Sequence, residues 1–240
     1  MNIPLVDKNI RRRAYSRFKT TRRHVLESLG IDWYSKPAFD NIDRKLERYL
    51  PAKGVFIEAG AHNGIAESNT YYLEKIKGWE GILVEPIEGN YQACCKNRTK
   101  SQVFNCALVS PDYTEESVTL QYGGLMSFVK DVYTDEDSYE RRMSAIEKYH
   151  TDSIETEVKA RTLTSLLDEC SFDKVDFLSL DVEGYEIEVL RGLDLNKYRP
   201  TFVLVECRDG ESKTRLESFL GAAYTFVDKL SSRDYLYKAV

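Results

Sequence analysis

Short apolar runs, each followed by a polar turn, recur along most of the chain. Their length and their β-branched or aromatic content predict strands at Val55–Ile57, Gly81–Glu85, Val103–Val109, Val175–Val182 and Phe202–Glu206. Apolar residues at helical spacing predict helices at Ala66–Lys77, Gly89–Asn97, Thr164–Glu169, around Val189 and Leu190, and at Thr214–Leu220. Strands that alternate with helices in this way predict an α/β fold, with a parallel sheet covered by helices on both faces.

Two further strand-like segments, Tyr224–Leu230 and Asp234–Val240, close the chain. We expect them to form an antiparallel pair, with the second segment at the edge of the sheet. Residues 51–240 contain no internal repeat and no low-complexity linker. They are therefore predicted to form one domain.

Residues 1–50 carry a basic run made of Arg11, Arg12, Arg13, Arg17, Lys19, Arg22 and Arg23. One interpretation is a surface that meets phosphate, an anionic glycan or an acidic membrane leaflet. The interpretation that we favour is a solvated helix that packs on the domain through Tyr15, Phe18, Val25 and Leu26. Ile42 and Leu46 continue at helical spacing until Pro51, which ends the segment. We predict a basic helical extension over residues 1–50, with peripheral membrane contact as its alternative role.

Residues 110–161 are the least regular part of the domain, and we interpret them as an insertion. Val118–Tyr122 alternates as a half-exposed strand does, and Glu155–Arg161 predicts another short strand. Asp131–Asp152 between them is polar, charged and rich in tyrosine, which is typical of a lid or substrate loop. The tyrosines of the insertion are suited to stack on sugar rings or to pack the lid itself; they are Tyr113, Tyr122, Tyr133, Tyr139 and Tyr149.

The composition is that of a soluble globular protein, with 42% hydrophobic and 30% charged residues in a chain of 240. A formal net charge of −5 argues against a nucleic-acid binder. No apolar run approaches the about 18 residues of a membrane span, so no transmembrane segment is expected. Five cysteines without metal-ligand spacing and an N-terminus without the apolar core of a signal peptide predict a cytoplasmic protein with reduced thiols.

A turn that begins at Gly60 and ends at Gly64 directly follows the first strand. Its G-x-x-x-G spacing is neither the G-x-G-x-x-G of a dinucleotide site nor a P-loop. Glu58 precedes the turn, and Glu85 ends the next strand at about the spacing of a ribose-binding carboxylate. Glu58 is suited to accept from the amine of a ligand's amino-acid portion, or else to cap local backbone amides. A ligand with a ribose, an adenine, a cationic centre and an amino acid is S-adenosylmethionine.

Four motifs in the expected order extend this interpretation. They are E-A-G-A-H-N-G, I-L-V-E-P, N-C-A-L-V and V-D-F-L-S-L-D-V-E-G-Y-E-I-E-V-L-R-G, which lie between residues 58 and 192. Together they resemble the FkbM family of S-adenosylmethionine-dependent methyltransferases, and the D-V-E-G-x-E segment is the most specific part. The family often has asparagine where this chain has His62.

The resemblance implies a Rossmann-like, seven-stranded methyltransferase sheet with an antiparallel final strand. It implies that Glu85 binds the ribose and that Asn105 and Ala107 lie near the adenine. The methionine end would be lined by the residues of the glycine turn, Gly60, Ala61, His62 and Gly64. Asn63 and Pro86, which belong to the same motifs, are assigned to the cofactor site with them. Members of the family typically methylate a hydroxyl, often on a sugar or a polyketide.

An alcohol must lose its proton during methyl transfer, so the site needs a base or a metal. Asp181 follows the strand expected beside the first one, and Glu206 ends the neighbouring strand, so both should face the same crevice. Asp181 is our first choice for the base, or for an oxygen ligand to Mg²⁺ or another divalent cation. Glu206, Glu183 and Asp209 are weaker candidates. The alternative is that Asp181 and Glu183 only cap the helix that follows.

These residues predict an O-methyltransferase that acts on a sugar, a glycan or a small hydroxylated metabolite. A cofactor-binding fold that has lost catalysis and serves as an interaction module is the alternative. The missing G-x-G-x-x-G argues against a third interpretation, a nicotinamide-dependent oxidoreductase.

Overall fold

The structure is a computed structural model that describes residues 8–122, 128–129 and 154–240, with side chains for 18–121 and 155–240. The described helices are α1 (Lys8–Ser28), α2 (Ile42–Leu46), α3 (Glu88–Asn97), α4 (Leu163–Glu169), α5 (Glu186–Arg191) and α6 (Gly210–Leu220). The described strands are β1 (Val55–Ala59), β2 (Glu80–Val84), β3 (Gln102–Phe104), β4 (Ala107–Leu108), β5 (Ser117–Tyr122), β6 (Phe128–Val129), β7 (Ile154–Arg161), β8 (Phe177–Leu180), β9 (Phe202–Glu206), β10 (Tyr224–Lys229) and β11 (Asp234–Ala239).

Seven of the strands form one sheet in the order β10-β11-β9-β8-β1-β2-β3. Strands β3, β2, β1, β8 and β9 pair in parallel, whereas β11 is antiparallel to both β9 and β10. This order confirms the predicted Rossmann-like α/β fold with an antiparallel final strand. The prediction that the last segment lies at the edge is wrong, because β11 is inserted between β9 and β10 and leaves β10 at the edge.

Both faces of this sheet are buried, as the continuous apolar runs of its central strands require. Ile57 and Leu178 face a cluster that includes Leu166 of α4 and Val189 of α5. The preceding residue of β1, Phe56, faces the opposite cluster, which includes Leu46 of α2 and Trp79. Successive strand residues point to opposite faces, so each central strand contributes to two cores.

The single strand predicted over Val103–Val109 is wrong in one respect, because the chain leaves the sheet in its middle. Strand β3 pairs with β2, while β4 pairs with β7 in a second sheet of order β4-β7-β5-β6. Asn105 lies at the break, where its side-chain amide donates to the carbonyls of Glu85 (3.0 Å) and Pro86 (2.9 Å). These bonds hold Asn105 beside the end of β2 and turn the chain toward the second sheet.

The helix predicted over Ala66–Lys77 begins later, at Tyr71, and continues as a π-helical turn, Leu73–Lys77. The Ser68 hydroxyl accepts from the N–H of Tyr71 at 3.0 Å, as a helix N-cap does. The preceding N–H of Asn69 donates to the Glu58 carboxylate at 2.8 Å. Residues before Tyr71 are therefore engaged by β1 rather than by a helix.

The N-terminal helix α1 lies against the domain by polar contacts. Phe18 and Val25, which we expected to pack on the domain, are instead exposed, whereas Leu26 is half-buried. The side chain of Tyr15 lies outside the described part. None of the helices in the described residues is both long enough and apolar enough to cross a membrane.

Both strands predicted at the ends of residues 110–161 are present, and the structure shows that they pair with each other. Strand β5 forms an antiparallel ladder with β7, and Val118 and Leu120 of β5 are buried with Val158 of β7. The predicted loop Asp131–Asp152, including His150, lies outside the described residues, as do Tyr133, Tyr139 and Tyr149.

Candidate active site

A cavity of about 430 Å³ lies where the strands β1, β2, β8 and β9 end. This is the edge at which ligands bind in open α/β sheets. Nine of the predicted site residues line the cavity: Glu58, Gly60, His62, Glu85, Pro86, Ala107, Asp181, Glu183 and Glu206. The four other predicted residues, Ala61, Asn63, Gly64 and Asn105, lie behind this wall.

The turn after β1 brings two strand ends into close contact. Gly60 has a φ of 84°, and a Cβ at this position would overlap the backbone carbonyl oxygen of Asp181. His62 also adopts left-handed backbone geometry, with a φ of 48°, which histidine tolerates better than most residues. The backbone of the turn therefore forms the cavity floor beside Asp181.

Three residues of the turn that were assigned to the cofactor site are not among the residues that line the cavity; they shape the turn, and their contact with a cofactor stays a prediction. The side chain of Asn63 accepts from the N–H groups of Ile65 (3.0 Å) and Ala66 (2.8 Å). Ala61 is buried, and its N–H donates to the carbonyl of Val84. The space where Gly64 would carry a Cβ is filled by side chains beneath the turn. The turn is thus held from below, and Gly60 and His62 are its cavity-lining members.

Glu58 is engaged by the protein itself. Its oxygens accept from the Ser68 hydroxyl (3.0 and 2.8 Å), the N–H of Asn69 (2.8 Å) and the Thr70 hydroxyl (2.8 Å). Arg98 completes the set with a nitrogen 3.3 Å from Glu58 Oε2. This geometry matches the alternative in which Glu58 caps local groups. Direct contact between Glu58 and a cofactor amine stays a prediction.

Glu85 is buried at the end of β2. Its carboxylate accepts from the N–H groups of His62 (2.7 Å) and Ile87 (2.9 Å). Burial raises the pKa of Glu85 to about 7, although these two backbone hydrogen bonds oppose the shift. The cavity is lined by this carboxylate and also by the apolar side chains of Leu108 and Val189, so it offers both an acceptor for hydroxyls and an apolar surface.

Asp181 and Glu206 follow or end neighbouring parallel strands, and their carboxyl groups are in hydrogen-bonding contact. The Asp181 side chain is exposed to the cavity, although the protein walls around the cavity displace much of the surrounding water. Burial, and then the charges of Glu206, Glu183 and Glu186, raise the pKa of Asp181 well above its ordinary value. Two carboxyl groups at such short range favour a state in which they share one proton.

Two arginines surround this carboxyl pair. Arg233 Nε lies 2.8 Å from Glu206 Oε1, and Arg208 Nε lies 3.1 Å from Glu206 Oε2. Arg208 also forms an ion pair with Glu183. The arginines hold Glu206 in place, whereas Asp181 forms no ion pair among the described residues.

The alternative in which Asp181 and Glu183 cap the following helix does not describe the structure, because Glu186 accepts from the backbone there. The helix α5 has no side-chain cap at its N-terminus, and the N–H of Gly184 donates to Glu186 rather than to Asp181 or Glu183. Asp209, one of the weaker base candidates, accepts from the N–H of Ser212 at 2.7 Å and caps α6. Asp209 is outside the cavity wall and is therefore a structural residue.

The donors around Asp181 do not fit the suggested Mg²⁺ ion. Both oxygens of Glu206 are occupied by arginine, and Arg208 also engages Glu183. Among the residues with described side chains, no group of three or more His, Cys, Asp or Glu is arranged to hold a metal ion.

Several wall residues were not identified from the sequence. Asn69 donates to Ser179 Oγ at 3.0 Å, and its own Oδ1 is buried with no hydrogen-bond partner in the described part of the chain. Arg208 and Arg233 belong to no recognised motif, and Phe39 comes from the N-terminal region. The one indication in the sequence was that Arg208 closely follows the acid-terminated strand β9.

Solved structures with a similar shape share little sequence with this chain. A TehB-like SAM-dependent methyltransferase from Corynebacterium glutamicum is 11% identical with a TM-score of 0.42, covering 95% of this chain and 99% of that chain. The fibrillarin/Nop5p complex is 10% identical with a TM-score of 0.46, and the match covers 86% of this chain and 82% of that chain. M. capricolum TrmK in complex with S-adenosyl-homocysteine is 7% identical with a TM-score of 0.42, and the match covers 82% of this chain and 65% of that chain. At these TM-scores the likeness supports no functional conclusion.

The search of curated proteins found no match. The methyltransferase FkbM domain, in contrast, matches residues 58–237. This range contains the glycine turn, Glu85, Asp181 and Glu206, and it amounts to three quarters of the chain. The chain therefore belongs to the FkbM methyltransferase family.

Proposed function

We propose that the protein is an S-adenosylmethionine-dependent O-methyltransferase whose acceptor is a hydroxyl of a sugar, a glycan or a small hydroxylated metabolite. The observation that carries the proposal is the Asp181–Glu206 carboxyl pair. It opens into the same cavity as the Gly60 turn and Glu85. One cavity thus combines features suited to a methyl donor with a group suited to accept a proton.

The donor side of the cavity fits S-adenosylmethionine in size and chemistry. Its volume of about 430 Å³ lies within the usual range for small-molecule sites. Glu85 would accept from the ribose hydroxyls, and Ala107, Leu108 and Val189 would contact the adenine. His62 Nδ1 and Asn69 Oδ1 belong to wall residues and are buried without a hydrogen-bond partner among the described residues, so a bound ligand would supply hydrogen bonds to them.

The bound donor would supply an electrophilic methyl group, and the protein would orient the acceptor and remove its proton. Asp181 is the group suited to take that proton, because a raised pKa makes a carboxylate a stronger base. The positive charge of a bound methyl donor would favour the ionised form of Asp181. Arg208 and Arg233 keep Glu206 fixed, so that the acceptor hydroxyl meets Asp181.

A sugar-like acceptor is supported by the family and by one aromatic side chain. Phe39 is exposed at the cavity wall, and the Arg233 guanidinium lies 5.3 Å from its ring centre. Aromatic faces of this kind stack on the apolar faces of sugar rings. We also propose a cytoplasmic location, since all five cysteines are free and a reducing compartment keeps thiols in that state.

Calorimetry with S-adenosylmethionine and with NAD separates the candidate functions. We expect heat of binding with the first ligand and none with the second. Transfer of a labelled methyl group to a panel of sugars, glycans and hydroxylated metabolites then tests the acceptor. No heat with S-adenosylmethionine on folded protein would contradict the donor. Binding without transfer to any acceptor would favour the catalytically inactive interaction module.

A further inference from the structure

The N-terminal region presents an exposed apolar surface, which we name the outer stripe. It consists of Phe18, Val25 and Leu29, which lie on one face of α1 and its end, and of Trp33 in the turn that follows. These side chains are 61%, 53%, 68% and 74% exposed. A helix attached to a globular domain normally buries its apolar face, so this surface lacks a partner within the described residues.

The turn after α1 folds back beside the same face. The Arg22 guanidinium lies 5.9 Å from the ring centre of Phe18 and 3.9 Å from that of Tyr34. One arginine therefore connects the helix to the turn that carries Trp33. The turn with Trp33 and the helix face with Phe18 therefore lie side by side.

The opposite side of α1 is the one that meets the domain, and its contacts are polar. The Glu27 carboxylate accepts from the Tyr71 hydroxyl at 3.0 Å and from the Ser35 hydroxyl at 2.7 Å. The Arg23 guanidinium lies 5.3 Å from the ring centre of Tyr71. The helix is held with its polar side inward and its apolar side outward.

The charge of α1 contrasts with that of the rest of the chain. The helix holds eight lysines and arginines and one acid, a net charge of +7. The whole chain has a net charge of −5, which leaves −12 on the remaining residues. This helix is thus a strongly basic element on an acidic protein.

We propose that the outer stripe, together with the basic residues of α1, docks on a lipid surface that carries anionic headgroups. Helices that lie in a membrane interface combine Lys and Arg with Trp, Phe and Leu in this way. Tryptophan favours the headgroup level, and anionic lipids attract basic segments. A nucleic acid would complement the cations but would leave the aliphatic Val25 and Leu29 without a role.

The stripe is also close to the candidate active site along the chain. Phe39, which lines the cavity, lies six positions after Trp33. A fully extended segment of that length spans about 22 Å at most. A lipid surface that holds Trp33 therefore stays near the cavity.

Tryptophan fluorescence of the full chain provides a direct test. The chain has two tryptophans, of which Trp79 is 1% exposed and Trp33 is 74% exposed. Vesicles of phosphatidylcholine with phosphatidylserine should shift the emission to shorter wavelength, because Trp33 leaves water. Vesicles of phosphatidylcholine alone should cause a much smaller shift. The variant Trp33→Phe should abolish the shift that the vesicles with phosphatidylserine cause.

Flotation with the same vesicles tests the two parts of the surface. We expect the double variant Leu29→Ser, Trp33→Ser and the triple variant Arg11→Glu, Arg12→Glu, Arg13→Glu each to bind at least about tenfold more weakly. Phe226→Ser is the matched control, since Phe226 is similarly exposed on the edge strand β10 but should not affect binding. Circular dichroism identifies any variant that fails to fold.

Other outcomes would overturn the proposal. These are no shift and no flotation of the wild-type chain with anionic vesicles, or equal binding to neutral and anionic vesicles. A wild-type dimer that the double variant converts to a monomer would assign the stripe to a second copy. Salt-sensitive binding to a nucleic acid that outcompetes the vesicles would assign the basic helix to that partner.

Discussion

Arg98 and Glu58 form an ion pair that is almost completely closed to solvent, with Arg98 Nη1 3.3 Å from Glu58 Oε2. The same guanidinium donates from Nε to Glu74 at 2.8 Å and from Nη1 to the Gly64 carbonyl at 3.2 Å. One buried cation thus joins the end of β1, the glycine turn and the π-helical turn. The floor of the candidate active site rests on this arginine.

Removing the arginine should destabilise the fold strongly. In Arg98→Met, the carboxylates of Glu58 and Glu74 would stay buried without a counter-charge. Breaking such a pair by removing one partner costs about 3–5 kcal/mol. Urea unfolding of both proteins measures the difference. Arg191→Met is the control, because Arg191 pairs with Glu188 at the surface and should change the free energy of unfolding by less than about 1 kcal/mol. Equal effects in the two variants would contradict the role of Arg98.

The second prediction concerns the close approach of Gly60 to Asp181. Gly60→Ala should destabilise the protein by at least about 2 kcal/mol, because alanine is strained at positive φ and its Cβ would overlap the Asp181 carbonyl. Gly89→Ala is the matched control: no atom lies within 4 Å of its ideal Cβ, and alanine is the better helix former in α3. Thermal unfolding of both variants is the measurement. A neutral Gly60→Ala would mean that the strand ends can separate freely.

The sheet and one edge of the site were predictable from the sequence for a physical reason. Central strands of a parallel sheet are buried on both faces, so β1, β8 and β9 appear as continuous apolar runs. The carboxyl ends of parallel strands meet at one edge of the sheet. Glu85 after β2, Asp181 after β8 and Glu206 at the end of β9 must therefore surround one crevice.

The remaining features depend on contacts between distant residues. Arg98 lies 40 residues from Glu58 and 24 from Glu74, and a lone arginine in a sequence does not indicate a buried position. The outward orientation of Phe18 was also unpredictable, because a helical pattern gives the apolar face but not the face that meets the domain. Asn105 divides the run Val103–Val109 through its side chain, which the apolar pattern does not register.

Glu85 predicts a pH dependence of stability. Burial raises its pKa to about 7 from an ordinary value of 4.5. Below pH 4.5 the carboxyl is protonated in both states, and between pH 4.5 and about 7 it ionises more readily in the unfolded chain. The associated stability is therefore present at low pH and lost as the pH rises through about 7, by roughly 3 kcal/mol.

Urea unfolding of wild type and Glu85→Gln across this pH range isolates the effect, because other groups cancel in the difference. The wild type should lose free energy of unfolding relative to the variant as the pH rises. Glu88→Gln changes an exposed carboxylate nearby. Its free energy of unfolding should differ from that of the wild type by an amount that stays constant with pH. A constant difference for Glu85→Gln would contradict the burial of an ionisable group there.

The same carboxylate should determine affinity for the donor. We expect Glu85→Ala to bind S-adenosylmethionine about tenfold to a hundredfold more weakly, since a charged hydrogen-bond acceptor for the ribose is lost. Glu85→Gln, which retains an oxygen acceptor, should lose less. Calorimetry at a pH above 7 compares them, after circular dichroism has shown that both fold. Unchanged affinity in Glu85→Ala would remove Glu85 from the cofactor site.

Asp181→Asn tests the base directly. The amide preserves the size of the side chain but accepts no proton, so kcat should fall by about a hundredfold to ten-thousandfold. Affinity for S-adenosylmethionine should change little, because Asp181 is assigned to the acceptor side of the cavity. Methyl transfer to an accepted hydroxyl compound gives kcat, and calorimetry gives the affinity. Asp209→Asn is the matched control: Asp209 caps α6 outside the cavity wall, asparagine caps helices equally well, and kcat should stay at the wild-type value. Full activity in Asp181→Asn would assign Asp181 a structural role and leave the proton to another group.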